Sequence, residues 1–284
     1  MLKQRVITAV VLLAILLPAL FWRTPEPFIA IVLLLIGAAA WEFARLNACG
    51  PGGSVAMGAL CVLACAACWF AGWVDGASPA PWFVAGIAWV LAGIALLRLG
   101  VARWPAVPRA LRLAGGLLAL VAAWLAAAQA RVIGVNFLLS VLLLVWVADI
   151  AAYFAGRAFG LKFTKNKLAP AISPGKSWEG VWGGMAGVLV LAFAWIAGDR
   201  HWGAQVPSLY SRLLEVGAWL VVAGAVFLAA MSVVGDLVES LIKRSAGAKD
   251  SSNLLPGHGG VLDRVDALLP TLPLAMLLAT VAQR

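Results

Sequence analysis

Long apolar runs separated by short polar segments make up most of this chain. Each run approaches the roughly 20 residues that an α-helix needs to cross a hydrocarbon core about 30 Å thick. Irregular backbone cannot face lipid, because its N–H and C=O groups would remain unpaired. The pattern therefore predicts nine transmembrane helices, at residues 5–22, 28–46, 55–72, 82–99, 111–129, 132–150, 181–198, 216–235 and 266–282.

The composition excludes an ordinary water-soluble domain. Hydrophobic residues make up 64% of the chain and charged residues only 12%, whereas about a quarter of a soluble domain is charged. The first apolar run follows Lys3 and Arg5, as in a signal peptide, but no convincing small-residue cleavage site precedes "FWRTPEPF". We therefore expect it to be the first membrane helix of an all-α, polytopic membrane helical bundle.

The basic residues orient this bundle, because cytoplasmic loops are enriched in Lys and Arg. With a cytoplasmic N-terminus, 16 of the 21 Lys and Arg residues fall in inner segments, and the five outer ones are Arg23, Arg131, Arg200, Arg212 and Arg284. We expect the N-terminus to be cytoplasmic and the C-terminus outside. This topology also accounts for the net charge of +9 without a nucleic-acid partner.

Every unusual polar group is predicted to lie at the inner face of this topology. The sixth and eighth helices are expected to end there at Asp149 and Asp236, and the ninth is expected to begin there at Asp266. Acidic residues within a membrane bundle usually line a cavity and hold a cation or a partner. For Asp149 the alternative is a structural ion pair, for example with Arg157.

The spacing of the acids indicates a phosphate and metal site. Asp236 and Glu239 lie three residues apart on one helix face, and Lys243 continues that face. Asp263 and Asp266 repeat the spacing. Hard oxygen ligands beside basic residues suit Mg²⁺ bound together with a phosphate-rich substrate.

The segment "PGKSWEG" offers a further phosphate contact. It is not a Walker A motif, because that pattern requires Gly in place of Pro170 and a parallel sheet around it. Lys176, Ser177 and the backbone N–H groups at the start of the seventh helix remain candidates for holding a phosphate.

Residues 240–266, "SLIKRSAGAKDSSNLLPGHGGVLDRVD", closely resemble the signature of the phosphatidate cytidylyltransferases, S-x-x-K-R-x4-K-D followed by H-G-G-x-x-D-R-x-D. Its positions are filled by Ser240, Lys243, Arg244, Lys249, Asp250, His258, Gly259, Gly260, Asp263, Arg264 and Asp266. The resemblance extends upstream through "ISPGKSWEG" and "ADIAAYFAGRAFG" and so covers roughly residues 140–284. The first 130 residues match only as apolar helices.

This resemblance implies an enzyme that condenses CTP with phosphatidic acid, giving CDP-diacylglycerol and pyrophosphate. It also implies dependence on Mg²⁺, a homodimer, and an active site on the cytoplasmic face of the bacterial inner membrane. We expect N-terminal transmembrane helices in residues 1–130 and the catalytic transmembrane region in residues 131–284, both within one membrane unit.

Beyond the motif, we assign roles to individual residues as a hypothesis. Catalytic roles fall to Asp236, Lys243, Arg244, Lys249, Asp250, His258, Asp263, Arg264 and Asp266. Substrate binding falls to Lys176, Ser177, Ser240, Gly259 and Gly260. Metal binding falls to Asp236, Asp263 and Asp266, with Asp149 and Glu239 as further candidates. For His258 and its glycines we expect a turn that lets backbone N–H groups approach the nucleotide.

Two other functions fit part of the pattern. A different CTP-dependent lipid enzyme, such as a polyprenol kinase or an archaeal-type CDP-lipid synthase, would transfer another group or use another lipid. An ion-coupled transporter would use Asp149 and Asp236 as its ion site and accumulate substrate in vesicles without CTP.

The motif gives one direct prediction. Asp263→Asn is expected to abolish CTP-dependent product formation and to leave expression and membrane insertion intact, because a carboxylate assigned to metal binding is lost. Turnover of the purified variant measures this effect. Wild-type turnover would remove Asp263 from the site.

Overall fold

The computed structural model describes residues 2–76 and 78–282, without the side chains of Leu2 and Lys3. Arg284, one of the five outer basic residues of the topology prediction, lies outside the described residues. The helices are α1 (Leu2–Leu20), α2 (Glu26–Leu46), α3 (Pro51–Phe70), α4 (Ala80–Leu99), a 3-10 segment (Val101–Ala106), α5 (Arg109–Ile133), α6 (Val135–Phe159), α7 (Trp178–His201), α8 (Leu209–Val216), α9 (Ala218–Ser245), α10 (Leu262–Val265) and α11 (Leu268–Ala282).

Within the described ranges, eight helical segments are long and apolar enough to cross a membrane. They comprise α2 to α7, α9, and a last segment that joins α10 and α11 as Leu262–Ala282. The remaining predicted span corresponds to α1, whose apolar part, Gln4–Leu20, is shorter than the others. The all-α polytopic membrane bundle is thus confirmed, and the chain is a multi-pass membrane protein.

Two predicted helix ends are wrong. α6 continues to Phe159 and α9 to Ser245, so Asp149 and Asp236 lie inside helices, about 15 Å before their ends at 1.5 Å per residue. The extension of α9 has a physical cause, because its apolar residues recur at helical spacing and are buried: Leu237, Val238, Leu241 and Ile242. The acids therefore lie on rigid helical backbone.

α9 and α11 form the interior of the bundle and pack against each other, while α4, α5 and α7 surround them. The predicted inner ends lie on one side of the molecule. There the Thr8 hydroxyl of α1 donates a hydrogen bond to the carbonyl of Pro256, and the Arg109 guanidinium of α5 donates one to the carbonyl of Ala48, which follows α2.

α6 and α7 form a close pair through small residues, an arrangement that lets membrane helices approach backbone to backbone. A Cβ on Gly184 would lie 2.9 Å from the carbonyl oxygen of Ala148, and a Cβ on Gly183 would overlap the side chain of Ala155. This contact fixes the start of α7, and with it the preceding Lys176, beside the inner half of α6.

One polar cluster lies at the opposite end of the bundle, so the expectation that every unusual polar group lies at the inner face is wrong. Asp199 accepts hydrogen bonds from the Asn136 amide at 2.9 Å, the Ser208 N–H at 3.0 Å and the Ser211 hydroxyl at 2.6 Å. These contacts join α6, α7 and the start of α8. The sequence separates these residues widely, and only the fold brings them together.

Gly183→Ala is expected to lower the free energy of unfolding by about 1–3 kcal/mol, because the added methyl overlaps Ala155. Gly115→Ala in α5 is the matched control, since a Cβ there meets open space and Ala favours helix by up to about 1 kcal/mol. Thermal unfolding in detergent compares the two variants. Equal midpoints would show that α6 and α7 are not held at this contact.

Candidate active site

Lys243 of α9 joins two acids on the inner side of the bundle. Its Nζ lies 2.6 Å from Asp263 Oδ1 of α10 and 2.6 Å from Glu239 Oε2, one turn earlier in α9. All three side chains are largely buried. The Glu239–Lys243 contact is therefore a short ion pair within a buried cluster.

Asp263 also organises the loop between α9 and α10, residues 246–261, which we name the signature loop. Its Oδ2 accepts hydrogen bonds from the Ser251 N–H at 2.9 Å, the Ser251 hydroxyl at 2.9 Å and the Gly260 N–H at 2.8 Å. Gly259 has φ +84°, and a Cβ there would lie 2.7 Å from Asp263 Oδ2. Glycine is therefore required by both backbone conformation and space.

A second ion pair joins α9 to the segment before α7. Lys176 Nζ lies 2.5 Å from Asp236 Oδ2, and the Ser240 hydroxyl donates to Asp236 Oδ1 at 3.2 Å. α11 approaches the same point, because a Cβ on Gly235 would lie 2.5 Å from the carbonyl oxygen of Asp266. α6, α9 and α11 contact one another, so the helices that carry Asp149 and Asp236 meet the last span, as predicted.

The donor set bears on metal binding. Within the described part of the chain, no group of three or more His, Cys, Asp or Glu side chains is arranged to hold a metal ion. Mg²⁺ commonly takes one or two carboxylates, with water and substrate phosphates as the other ligands. Asp149 forms no hydrogen bond or ion pair with any described residue, and Asp266 Oδ1 accepts only the N–H of Ala267. The carboxylate oxygens of Asp149 and Asp266 are therefore better placed to bind an Mg²⁺ ion whose other ligands come from the substrate. The oxygens of Asp263 already accept four hydrogen bonds.

The other predicted site residues lie around this centre. The Arg244 guanidinium donates to the carbonyls of Ile172 and Ala248, which ties α9 to the loop before α7. The Arg264 guanidinium donates to the carbonyl of His258 at 2.7 Å. The Ser177 hydroxyl accepts from the Gly180 N–H at 3.2 Å and so caps α7. Its hydroxyl is therefore committed to the helix.

Lys249 and Asp250 are exposed and line a polar cavity of about 670 Å³. The signature loop forms one wall of this cavity, and the inner end of α2 forms the other with Trp41 and Arg45. The Arg45 guanidinium stacks over the Trp41 ring at 4.7 Å. A solvent-exposed cavity with two free basic groups can accept a soluble polyanion.

A larger cavity, of about 1060 Å³, lies between α4, α5 and α9. Apolar side chains form almost all of its lining, including Trp82 and Leu111. Glu239 reaches its wall from the buried charge cluster. The charge cluster therefore reaches the apolar cavity through Glu239 and the polar cavity through Ser251, which donates to Asp263.

Two acidic residues of this region were not predicted. Glu179 Oε1 accepts the N–H groups of Phe163 and Thr164 and the Thr164 hydroxyl, which anchors the basic loop before α7. Glu42 of α2 is completely buried against the signature loop. The signal for Glu42 was present, because it interrupts an apolar span just as Asp149 does.

The sequence model of the cytidylyltransferase family matches residues 3–282. The chain belongs to this family. It is 40% identical over 278 residues to the phosphatidate cytidylyltransferase of Pseudomonas aeruginosa, a match that covers 96% of this chain and 95% of that protein. This match extends into residues 1–130, for which the sequence alone indicated only apolar helices.

Shorter matches are found with two further proteins called phosphatidate cytidylyltransferase. That of Haemophilus influenzae is 48% identical over 147 residues, 49% of this chain and 44% of that protein. That of Bacillus subtilis is 40% identical over 140 residues, 49% of this chain and 46% of that protein. The resemblance inferred from the signature motif is thus confirmed.

The buried charge cluster predicts unequal roles for two lysines of the motif. Lys243→Met is expected to lower the free energy of unfolding by about 3–5 kcal/mol, because it leaves Glu239 and Asp263 buried without their cation. Lys249→Met changes an exposed side chain and is expected to alter stability by less than about 0.5 kcal/mol. Thermal unfolding of both variants without substrate makes the comparison, and equal losses would contradict it.

Proposed function

We propose that this chain transfers the cytidylyl group of CTP to phosphatidic acid and gives CDP-diacylglycerol and pyrophosphate. One observation carries the proposal. A match that covers 95% of a phosphatidate cytidylyltransferase coincides with a charge cluster that reaches a polar cavity through Ser251 and an apolar cavity through Glu239. The reaction needs access to a soluble nucleotide and to a membrane lipid at the same point.

The chemistry is a direct phosphoryl transfer. A phosphate oxygen of phosphatidic acid attacks the α-phosphorus of CTP, and the bond from that phosphorus to the oxygen bridging to the β-phosphorus breaks. Pyrophosphate leaves with the electron pair of that bond. Catalysis of such a transfer is mainly positioning and neutralisation of charge. No covalent enzyme intermediate is required.

The basic groups of the site would neutralise this charge. Lys249 and Arg45 line the polar cavity and are placed to hold the triphosphate. Lys176 is ion-paired with Asp236 at 2.5 Å and is about a quarter exposed, so it can exchange its carboxylate partner for a phosphate. Lys243, between two buried acids, holds Asp263 and the loop in place.

We propose that Asp149, Asp236 and Asp266 hold Mg²⁺ together with the nucleotide phosphates. When bound, the ion would neutralise phosphate charge and align the attacking and leaving oxygens. The carboxylates would fix the position of the ion and, through it, that of the triphosphate. Asp263 is proposed to act through the loop, since its two oxygens already accept four contacts.

The apolar cavity is proposed to receive the acyl chains of the lipid. Its lining is almost entirely apolar, and its polar groups include Arg112, Gln129 and the buried Glu239. Acyl chains in such a cavity would carry the phosphate monoester toward the charge cluster of α9. A lipid that diffuses in the bilayer would reach the site sideways, without leaving the membrane.

We further propose that the site faces the cytoplasm across the bacterial inner membrane and that the chain acts as a homodimer. The distribution of Lys and Arg supports the orientation, and the signature resemblance supports the dimer. The division into helices 1–130 and a catalytic region 131–284 stays a prediction.

The function is tested with purified protein, CTP, Mg²⁺ and phosphatidic acid in mixed micelles. We expect pyrophosphate release that requires the lipid, with CDP-diacylglycerol formed in equal amount. Chelation of Mg²⁺ is expected to stop the reaction. Release of CDP instead of pyrophosphate would identify a lipid kinase, and absence of turnover with phosphatidic acid would overturn the proposal.

A further inference from the structure

Glu42, near the inner end of α2, is a buried carboxylate with an unusual set of partners. Its exposure is 0%. Oε1 accepts from the Ser252 hydroxyl and, at 3.0 Å, from the Val261 N–H. Oε2 accepts from the Leu262 N–H at 2.7 Å and from the Ser251 hydroxyl at 3.1 Å. Every donor is neutral, and no Lys or Arg of the described chain forms an ion pair with this acid.

All four donors belong to the signature loop and the first residue of α10. They lie 209–220 residues from Glu42 along the chain. The carboxylate therefore clasps the loop at two places, at Ser251 and Ser252 in its interior and at Val261 and Leu262 where α10 begins. Because carboxylates accept hydrogen bonds only, and N–H groups only donate, no neutral isostere fits this position without loss.

The clasp connects directly to the charged centre. The Ser251 hydroxyl lies between two carboxylates, 3.1 Å from Glu42 Oε2 and 2.9 Å from Asp263 Oδ2, and shares its proton between them. Asp263 in turn pairs with Lys243. A Cβ on Gly260 would overlap both the Ser251 hydroxyl and the Glu42 carboxylate, which gives a physical reason for the second glycine of the H-G-G motif.

The clasp also shapes the polar cavity. Ser251 and Ser252 line that cavity opposite Trp41 and Arg45, the residues of α2 that lie beside and one turn after Glu42. Glu42 therefore sets the distance between the two walls, α2 and the signature loop. Without it, the loop would lose four hydrogen bonds at its base, and Lys249 and Asp250 would lose their fixed position on the wall.

We propose that Glu42 is a positioning residue for the nucleotide. It holds the signature loop against α2 in the geometry that admits the triphosphate of CTP, and it touches neither substrate. The inference rests on the proposed function for the identity of the nucleotide, and it assigns a role in the reaction to a helix outside the region that carries the motif.

The test compares Glu42→Gln with Asp199→Asn. Both changes replace one carboxylate oxygen by an amide in an acid that accepts N–H and hydroxyl hydrogen bonds, but Asp199 lies at the opposite end of the bundle. For Glu42→Gln we expect kcat/KM for CTP to fall about 10- to 100-fold, as for other residues that orient a site without touching substrate. The KM for phosphatidic acid should stay within about twofold, since α4, α5 and α9 form most of the lining of the apolar cavity and only Phe43 and Leu262 adjoin the clasp. Asp199→Asn should keep wild-type kinetics.

A double-mutant cycle separates positioning from general destabilisation. Because Ser252 acts through Glu42, Ser252→Ala should raise the KM for CTP less than Glu42→Gln does, and the double variant should be no worse than Glu42→Gln alone. Ser211→Ala, a partner of Asp199, should combine additively with Glu42→Gln. If Glu42→Gln does not accumulate as folded protein, Ser252→Ala decides, and a wild-type KM for CTP in that variant overturns the proposal.

Binding of CTP alone, measured as protection against thermal unfolding, provides a readout that does not need turnover. Reduced protection of Glu42→Gln relative to Asp199→Asn supports the clasp even if wild-type protein makes no CDP-diacylglycerol, a result that would overturn only the proposed function. Equal protection and equal kinetics of the two variants would overturn the clasp while leaving the proposed function in place.

Discussion

The half of the bundle that carries the signature loop depends on one buried cation. Lys243 lies between Glu239 and Asp263 at 2.6 Å from each, and two acids removed from water are tolerable only while that cation is present. The contact holds α10 against α9. The second oxygen of Asp263 accepts hydrogen bonds from the N–H groups of Ser251 and Gly260. The folded loop, the turn at Gly259 and the polar cavity all follow from this pairing.

Helix packing places the second part of the centre. Small residues let α6 and α7 approach so closely that the segment before α7 reaches α9, where Lys176 meets Asp236. Both Asp149 and Asp236 lie well inside long helices, so helical backbone holds these two acids rigidly, whereas Lys176, the partner of Asp236, lies on the segment before α7. A site that must admit and release a polyanion benefits from this arrangement, because Lys176 can exchange its partner without moving Asp236.

The apolar runs of the sequence predicted most ends of the spans to within a few residues, because a helix exposed to lipid has to be apolar along its length. The prediction was wrong at the ends of α6 and α9. These helices continue beyond their apolar runs, because packing rather than hydropathy extends them. The motif predicted which charged residues meet. The motif does not include Glu42, Glu179 or the Asp199 cluster, whose partners are mainly loop N–H groups and hydroxyls. For Glu42 the interruption of an apolar span was a signal, but it did not identify these partners. Ser177 of the upstream segment serves as a helix cap, whereas Lys249 of the signature motif lines a polar cavity.

The contact between Glu42 and the signature loop has a consequence for biosynthesis. Ser251 is translated 209 residues after Glu42, which at about 5–20 residues per second means roughly 10–40 seconds of synthesis. During that interval α2 has left the ribosome while every group that will satisfy its carboxylate is still untranslated. The nascent helix must keep this acid near the interfacial water or against the insertion machinery, and final docking of α2 has to wait until the last hairpin of the chain has entered the bilayer.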